Sequence, residues 1–180
     1  MFILYGVAAG IVAGLVTGGR FDRIGDLRIR LAWLAIAALA AQIVLFLPAV
    51  GEALGSFASW VYVASSAAIL LVVAVNLRIP GVAVIGAGLA CNLAAILANG
   101  GSMPASPSAL ASLGWSEASG YSNSVVLPDP ALAPLTDIFA LPAWMPFANV
   151  FSIGDVLIAV GVAATIAIAM RRRPEGAAIP

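Results

Sequence analysis

Few side chains in this sequence could do chemistry. It contains no histidine, no lysine and one cysteine, Cys91. Among the acids, Asp155 opens a long apolar segment and Asp137 lies 18 residues before it. Two carboxylates close enough to share a proton could activate a water molecule, with one pKa raised and the other lowered. Asp137 and Asp155 are therefore the catalytic candidates.

Uncharged polar residues within the apolar segments are candidates for binding. A polar side chain in hydrocarbon is costly unless it faces the interior of a helix bundle or a wet cavity. Asn92 and Asn99 are seven residues apart, so they share one helix face. Together with Gln42 and Asp155 they could line one polar vestibule, although Gln42 alone is better explained by hydrogen bonding between helices.

The run from Asn99 to Pro104 has two interpretations. Gly100 and Gly101 tolerate positive φ and expose backbone amides, so with Asn99 and Ser102 they could bind a ligand. Alternatively, Asn99 or Gly100 ends a helix in a left-handed conformation and Pro104 prevents its continuation. The sequence leaves both open.

Ser152 and Asp155 also have two interpretations. Their S-x-x-D spacing is that of a capping box, in which a hydroxyl and an acid satisfy the first free amides of a helix. The same two side chains could contribute to the polar site, Ser152 to ligand binding and Asp155 to catalysis.

The elements that must position these residues are predicted from hydropathy. The chain has 180 residues, of which 63% are apolar and 9% charged, with a mean hydropathy of +1.11. A membrane-spanning helix needs about 20 apolar residues. The sequence predicts an all-α membrane protein, a single domain over 1–180, whose five transmembrane helices occupy 1–18, 31–50, 57–76, 81–99 and 153–170.

Arginines predict the orientation of this bundle. All eight basic residues are arginines, and they fall in 20–30, 77–80 and 171–173. Because positively charged loops stay on the cytoplasmic side, we expect the N-terminus outside and the tail 171–180 in the cytoplasm. The long connection 100–152 has no basic residue, and it is predicted to form an outer cap whose aromatic side chains touch the lipid headgroups.

The first helix carries a glycine every fourth residue. Such a stripe permits close helix approach, and packing within the bundle is its favoured explanation over a contact with a membrane-protein partner. The stripe consists of Gly6, Gly10, Gly14 and Gly18.

The start of the last helix resembles that of signal peptidase II. Phe151, Asp155, Ile158 and Gly161 match the family pattern Phe-Asn-x-Ala-Asp-x-x-Ile-x-x-Gly, with serine and glycine in place of its asparagine and alanine. The resemblance implies that Asp155 is one of two catalytic aspartates at the outer membrane face. The family element that supplies the other aspartate is absent, and Asp137 is its nearby substitute.

Over its whole length the chain resembles an uncharacterised family of small bacterial integral-membrane proteins, a domain of unknown function. The shared features are the glycine-rich first helix, the arginine-rich first loop, the run from Asn99 to Pro104 and the closing segment from Phe151 to Asp155. This resemblance implies a protein of the bacterial plasma membrane and brings no activity with it.

We therefore expect an outward-facing polar site that binds a lipid or small molecule through Asn92, Asn99, Gly100, Gly101, Ser102 and Ser152. One alternative is an aspartyl peptidase or hydrolase that uses Asp137 and Asp155, and another is a membrane scaffold. The sequence leaves enzymatic activity uncertain and favours its absence. Membrane lipids are the expected partners, and no cofactor, metal or nucleic acid is expected, because histidine and lysine are absent and Cys91 stands alone.

Overall fold

A computed structural model describes residues 2–115 and 124–172. Part of the predicted outer cap, 116–123, and the predicted cytoplasmic tail from Arg173 onward lie outside these residues.

The chain is mostly helical, and a helix lies in each of the five apolar segments. The helices are α1 (Ile3–Val16), α2 (Ala32–Leu45), α3 (Pro48–Leu54), α4 (Phe57–Val75), α5 (Val82–Ala98), α6 (Pro107–Ser112) and α7 (Ile153–Arg171). Within the described residues, α4 and α7 are long and apolar enough to cross a membrane, and α2 with α3 would make a third crossing if the bent pair is one span. Five spans therefore stay a prediction.

The helix predicted over 31–50 is interrupted. α2 ends at Leu45, and α3 leaves it at an angle of 89°. Leu47 adopts an extended conformation, with φ −70° and ψ 125°, because the ring of a following proline disfavours helical geometry. Pro48 then fits the first turn of α3, where its missing N–H costs nothing.

The principal contacts place the long helices in the order α1, α7, α5, α4, α2. α7 packs between α1 and α5, and α4 packs between α5 and α2. The last helix in the sequence is thus an inner member of the row, whereas α1 and α2 lie at its ends. Gln42 of α2 donates to Ser65 and Ser66 of α4 at 3.0 and 3.2 Å, which is the interhelical bonding expected for it.

The glycines of α1 face α7. A Cβ atom on Gly6 would lie 2.5 Å from the Ala159 carbonyl oxygen, and one on Gly10 would lie 2.8 Å from Cα of Ala163. Gly14 is equally close to the Met170 side chain, whereas Gly18 has open space around it. Packing within the chain accounts for three of the four glycines, and a partner contact through the stripe stays a prediction.

A second set of glycines joins α5 to α7. Cβ atoms on Gly88 and Gly154 would lie 2.4 and 2.8 Å from each other's carbonyl oxygens. Gly81, which precedes α5, and Gly161 meet in the same way at 2.5 and 2.8 Å. Gly88 follows Gly81 by seven residues, and Gly154 precedes Gly161 by seven. The partners therefore occur in opposite order, so α5 and α7 run antiparallel with their backbones in close contact.

The arginine-bearing segments gather at the same end of the helices, where α4 and α7 finish. The backbone N–H of Arg20 donates to the Met170 carbonyl at 2.8 Å, so the segment after α1, which includes a 3₁₀ turn at Phe21–Asp26, lies against the end of α7. The Arg30 backbone exchanges two hydrogen bonds of 2.9 Å with the side chain of Asn76, which joins the start of α2 to the end of α4.

The long connection lies at the opposite end of the helices. It contains short strands as well as helix, unlike the all-α prediction. β1 (Met103–Pro104) pairs in parallel with β2 (Ser124–Val125), and β3 (Phe139–Ala140) pairs antiparallel to β4 (Val150–Phe151). A 3₁₀ turn occupies Ala133–Leu135. The prolines that prevent long helices in this segment are compatible with such two-residue strands.

Close packing of α1 on α7 predicts the effect of enlarging Gly10. Gly10→Leu should lower the free energy of unfolding by about 1–3 kcal/mol, because the new side chain would overlap the α7 backbone. Thermal unfolding in detergent would measure this loss. Ala9→Leu, on an exposed face of α1, is the matched control and should leave stability nearly unchanged; equal effects of the two substitutions would contradict the packing.

Candidate functional site

Asn92, Ser152 and Asp155 form a hydrogen-bonded cluster where α5 meets the start of α7. The Asn92 side-chain amide donates to one Asp155 carboxylate oxygen at 3.0 Å. The Ser152 hydroxyl lies 2.8 Å from the Asn92 amide oxygen and 3.1 Å from the other Asp155 oxygen, and can donate its one proton to either. Ser152 is completely buried, whereas Asn92 and Asp155 are half-buried, so the cluster is partly accessible.

The predicted capping box is present. The Asp155 backbone N–H donates to the Ser152 hydroxyl, and the Ser152 backbone N–H donates to the Asp155 carboxylate, both at 3.0 Å. An acid in the first turn also suits the positive end of the helix dipole. Helix capping therefore explains the spacing of these two residues, while the bond from Asn92 adds a contact between helices.

Two glycines that the sequence analysis did not single out make room for this cluster. A Cβ atom on Gly154 would lie 1.9 Å from the Asn92 amide oxygen, so a side chain there would displace Asn92. Gly88 stands opposite Gly154, one turn before Asn92 on α5. The matching seven-residue spacings, Gly81 to Gly88 and Gly154 to Gly161, were the available signal.

Asp137 lies in the long connection, and only 8% of it is exposed. Its backbone N–H donates to the Pro104 carbonyl and its carbonyl accepts from the Ser106 N–H, each at 2.9 Å. These bonds fix Asp137 beside β1. No hydrogen bond reaches its carboxyl group in the described part of the chain.

The electrostatic environment of Asp137 is unfavourable to a charge. Burial raises its pKa, and the nearby negative charge of Asp155 raises it further, to about 7. Asp137 thus titrates near neutral pH, beside the Asp155 carboxyl group, which accepts hydrogen bonds from the Asn92 amide and the Ser152 backbone N–H. The structure therefore places the two predicted catalytic acids within electrostatic reach of each other.

Asn99 fastens the long connection to the end of α5. Its side-chain amide donates to the carbonyls of Ala95 and Ala131 at 2.7 and 2.8 Å, and its oxygen accepts from the Ala131 N–H at 2.8 Å. Both amide hydrogens of Asn99 are therefore already used within the protein.

The helix-stop interpretation describes the glycines after Asn99. Gly100 and Gly101 have φ of +72° and +91°, and the Gly101 N–H donates to the Ile96 carbonyl at 2.8 Å, as in a Schellman motif. Gly101 also packs closely on Ser59, where a Cβ atom would lie 2.8 Å from the serine Cβ. Ser102 is half-buried between this turn and β1.

The polar residues expected to share one vestibule belong to three separate hydrogen-bonded sets. Gln42 bonds to α4, Asn99 bonds to Ala131, and Asn92 bonds to Ser152 and Asp155. Among the described residues no three histidine, cysteine or acidic side chains are grouped as metal ligands would be, and Cys91 is a free, half-buried thiol.

Comparison with known proteins gives a family match. A family model described as "Family of unknown function (DUF5317)" matches residues 26–167, which include Asn92, Asn99, Asp137 and Asp155. No curated protein and no solved structure matches the chain.

Stability should depend on pH through Asp137. The pKa of Asp137 is higher in the folded protein than in the unfolded chain, so folding favours its protonated form. Its contribution to the free energy of unfolding is fully present below about pH 4 and is lost as pH rises through 7. The free energy of unfolding should therefore fall by roughly 2–3 kcal/mol between pH 5 and pH 8 through this residue.

Asp137→Asn should remove that dependence and make the protein more stable than the wild type at pH 8. Thermal unfolding in detergent across this pH range would measure both effects. Asp129→Asn changes an exposed acid in the same connection and should keep the wild-type profile. An Asp137→Asn variant with an unchanged profile would show that the carboxyl does not titrate as described.

Proposed function

We propose that this chain, which belongs to the DUF5317 family of unknown function, is a multi-pass protein of the bacterial plasma membrane that binds a lipid or small molecule at its outer end. The observation that carries the proposal is the buried Asp137 carboxyl group, which receives no hydrogen bond in the described part of the chain and lies near the charge of Asp155. A carboxyl group in a residue that is only 8% exposed is usually hydrogen-bonded, so a ligand that donates a hydrogen bond would fit this site.

Exposed apolar side chains support a membrane environment. Trp33, Ile36 and Ile43 of α2 are each 68% exposed, and Trp60 of α4 is 66% exposed. Soluble monomers seldom expose apolar surface along whole helices, whereas lipid chains would cover it at no cost. The gathering of the described arginines at one end supports the orientation with that end in the cytoplasm.

The long connection has the properties of an outer cap at the headgroup level. Trp144 is 82% exposed and Phe147 is 59% exposed, and aromatic residues favour the membrane interface. The cap is held to α1 where Phe2 stacks on Phe151 at 4.3 Å between ring centroids and the Tyr5 hydroxyl donates to the Pro146 carbonyl. Asn99 holds it to α5.

The acids favour a ligand that carries N–H or O–H donors. Asp155 already accepts bonds from Asn92 and Ser152, so of the two acids Asp137 is the one whose carboxyl group is left for a ligand. Protonated nitrogen would also relieve the repulsion between the two carboxylates. Within this proposal Asn92 and Ser152 position Asp155, while Asn99 and the turn through Gly100, Gly101 and Ser102 hold the cap.

The test is whether a bound molecule depends on Asp137. Native mass spectrometry of protein purified in mild detergent should find a lipid or small molecule retained by the wild type and lost from Asp137→Asn, at a normal protein level. Glu52→Gln is the control, because it removes an exposed acid from α3, at the end of the helices where the cap lies. Retention by Asp137→Asn, or equal loss from the control, would refute binding through Asp137.

The raised pKa of Asp137 beside Asp155 favours a second candidate, an aspartyl hydrolase. A carboxyl group with a raised pKa close to a second carboxyl group is the arrangement that activates water between two acids. In that case the bound molecule would be cleaved, and both Asp137→Asn and Asp155→Asn would abolish formation of the product. A product formed at the wild-type rate by either variant would exclude this mechanism.

A further inference from the structure

Residues 126–136 form a loop whose two ends are fixed side by side, next to β1. At one end the Ala105 N–H donates to the Val125 carbonyl at 2.8 Å, and at the other the Asp137 N–H donates to the Pro104 carbonyl at 2.9 Å. Compact surface loops whose ends lie together are Ω-loops, which are frequently functional. Asp137 thus stands where this loop rejoins the rest of the long connection.

The loop lies over the ends of the two helices that carry the polar cluster. Its 3₁₀ turn, Ala133–Leu135, contacts both α5 and α7. The Leu135 side chain packs against the buried side chains of Ala95, Ile96 and Met103. The loop therefore covers the α5–α7 contact at the end where the acids lie.

Asn99 of the α5 end holds the far side of the loop through Ala131. The Asn99 side-chain amide donates to the Ala131 carbonyl and its oxygen accepts from the Ala131 N–H, both at 2.8 Å and both at the surface. The next residue, Leu132, has φ +53° and ψ +39°, a left-handed conformation that is unfavourable for residues other than glycine. Release of Ala131 from Asn99 would let Leu132 relax.

The loop has the properties of a segment that opens locally. Every residue from Ala131 to Pro134 is exposed, whereas Thr136 and Asp137, where the loop rejoins β1, are only 2% and 8% exposed. Segments with few buried contacts and surface hydrogen bonds open at a smaller free-energy cost than the whole protein. We propose that 126–136 is a lid, held closed by Asn99, that moves about its ends beside β1 and uncovers Asp137 for a ligand; this inference rests on the function proposed above.

The experiment measures access to position 137 with N-ethylmaleimide. Asp137→Cys is combined with Cys91→Ala, which removes the one natural cysteine, and the rate of thiol labelling is followed in detergent. Asn99→Ala should raise this rate at least about tenfold, because the lid loses two hydrogen bonds. Leu135→Ala, which removes the apolar contact of the lid, should also raise it.

Two controls separate opening of the lid from general loosening of the protein. Gln42→Ala removes two hydrogen bonds between α2 and α4, away from the lid, and should leave the labelling rate at position 137 unchanged. Val72→Cys, at a buried position of α4 that is 5% exposed, should stay slowly labelled when Asn99→Ala is added.

Each outcome bears on the lid. An unchanged rate in Asn99→Ala or in Leu135→Ala would overturn it, and so would an equal rise in Gln42→Ala or at Val72→Cys. Labelling of Asp137→Cys as fast as that of Ser108→Cys, at an exposed position, would show that the lid is not closed. The labelling requires no bound molecule, whereas native mass spectrometry of Asp137→Asn tests binding itself, so failure of the lid and failure of the proposed function are distinguishable.

Discussion

The antiparallel contact between α5 and α7 is the constraint on which the candidate site depends. Glycine pairs, Gly88 with Gly154 and Gly81 with Gly161, let each backbone occupy the space that a Cβ atom would need. At this separation Asn92 reaches both Ser152 and Asp155. The helix packing and the polar cluster therefore depend on the same glycine, and a side chain at Gly154 would disturb both.

Much of the local structure follows from the sequence, because local signals act over a few residues. Apolar runs predicted where the five long helical segments lie, and two local patterns offered as alternatives describe their ends: S-x-x-D as the cap of α7 and Gly100–Gly101 as the stop of α5. The bend before Pro48 was not predicted, although the proline is its visible cause. Proline also fits the first turn of a helix, so its position near the end of an apolar run did not by itself indicate a bend.

Contacts between distant segments could not be predicted in the same way. A glycine stripe shows that some helix approaches closely, but it does not identify the partner; Gly6 and Gly10 meet a helix that begins more than 140 residues later. Asn99 bonds to the backbone of Ala131, which has no side-chain signature. Asp137 is placed by backbone bonds to Pro104 and Ser106, so its burial and the effect of Asp155 on its pKa depend on the fold of the whole connection.

The two ends of α7 differ in charge. Its first turn holds Asp155 near the positive end of the helix dipole, and its last turn holds Arg171 near the negative end. At 19 residues the helix is about 28 Å long, close to the thickness of the hydrocarbon core of a bilayer. A helix of this length that is apolar between its charged ends is most stable with each end at one membrane interface. The packing of α7 between α1 and α5 would then hold Asp155 and the cap at one surface and Arg171 at the other.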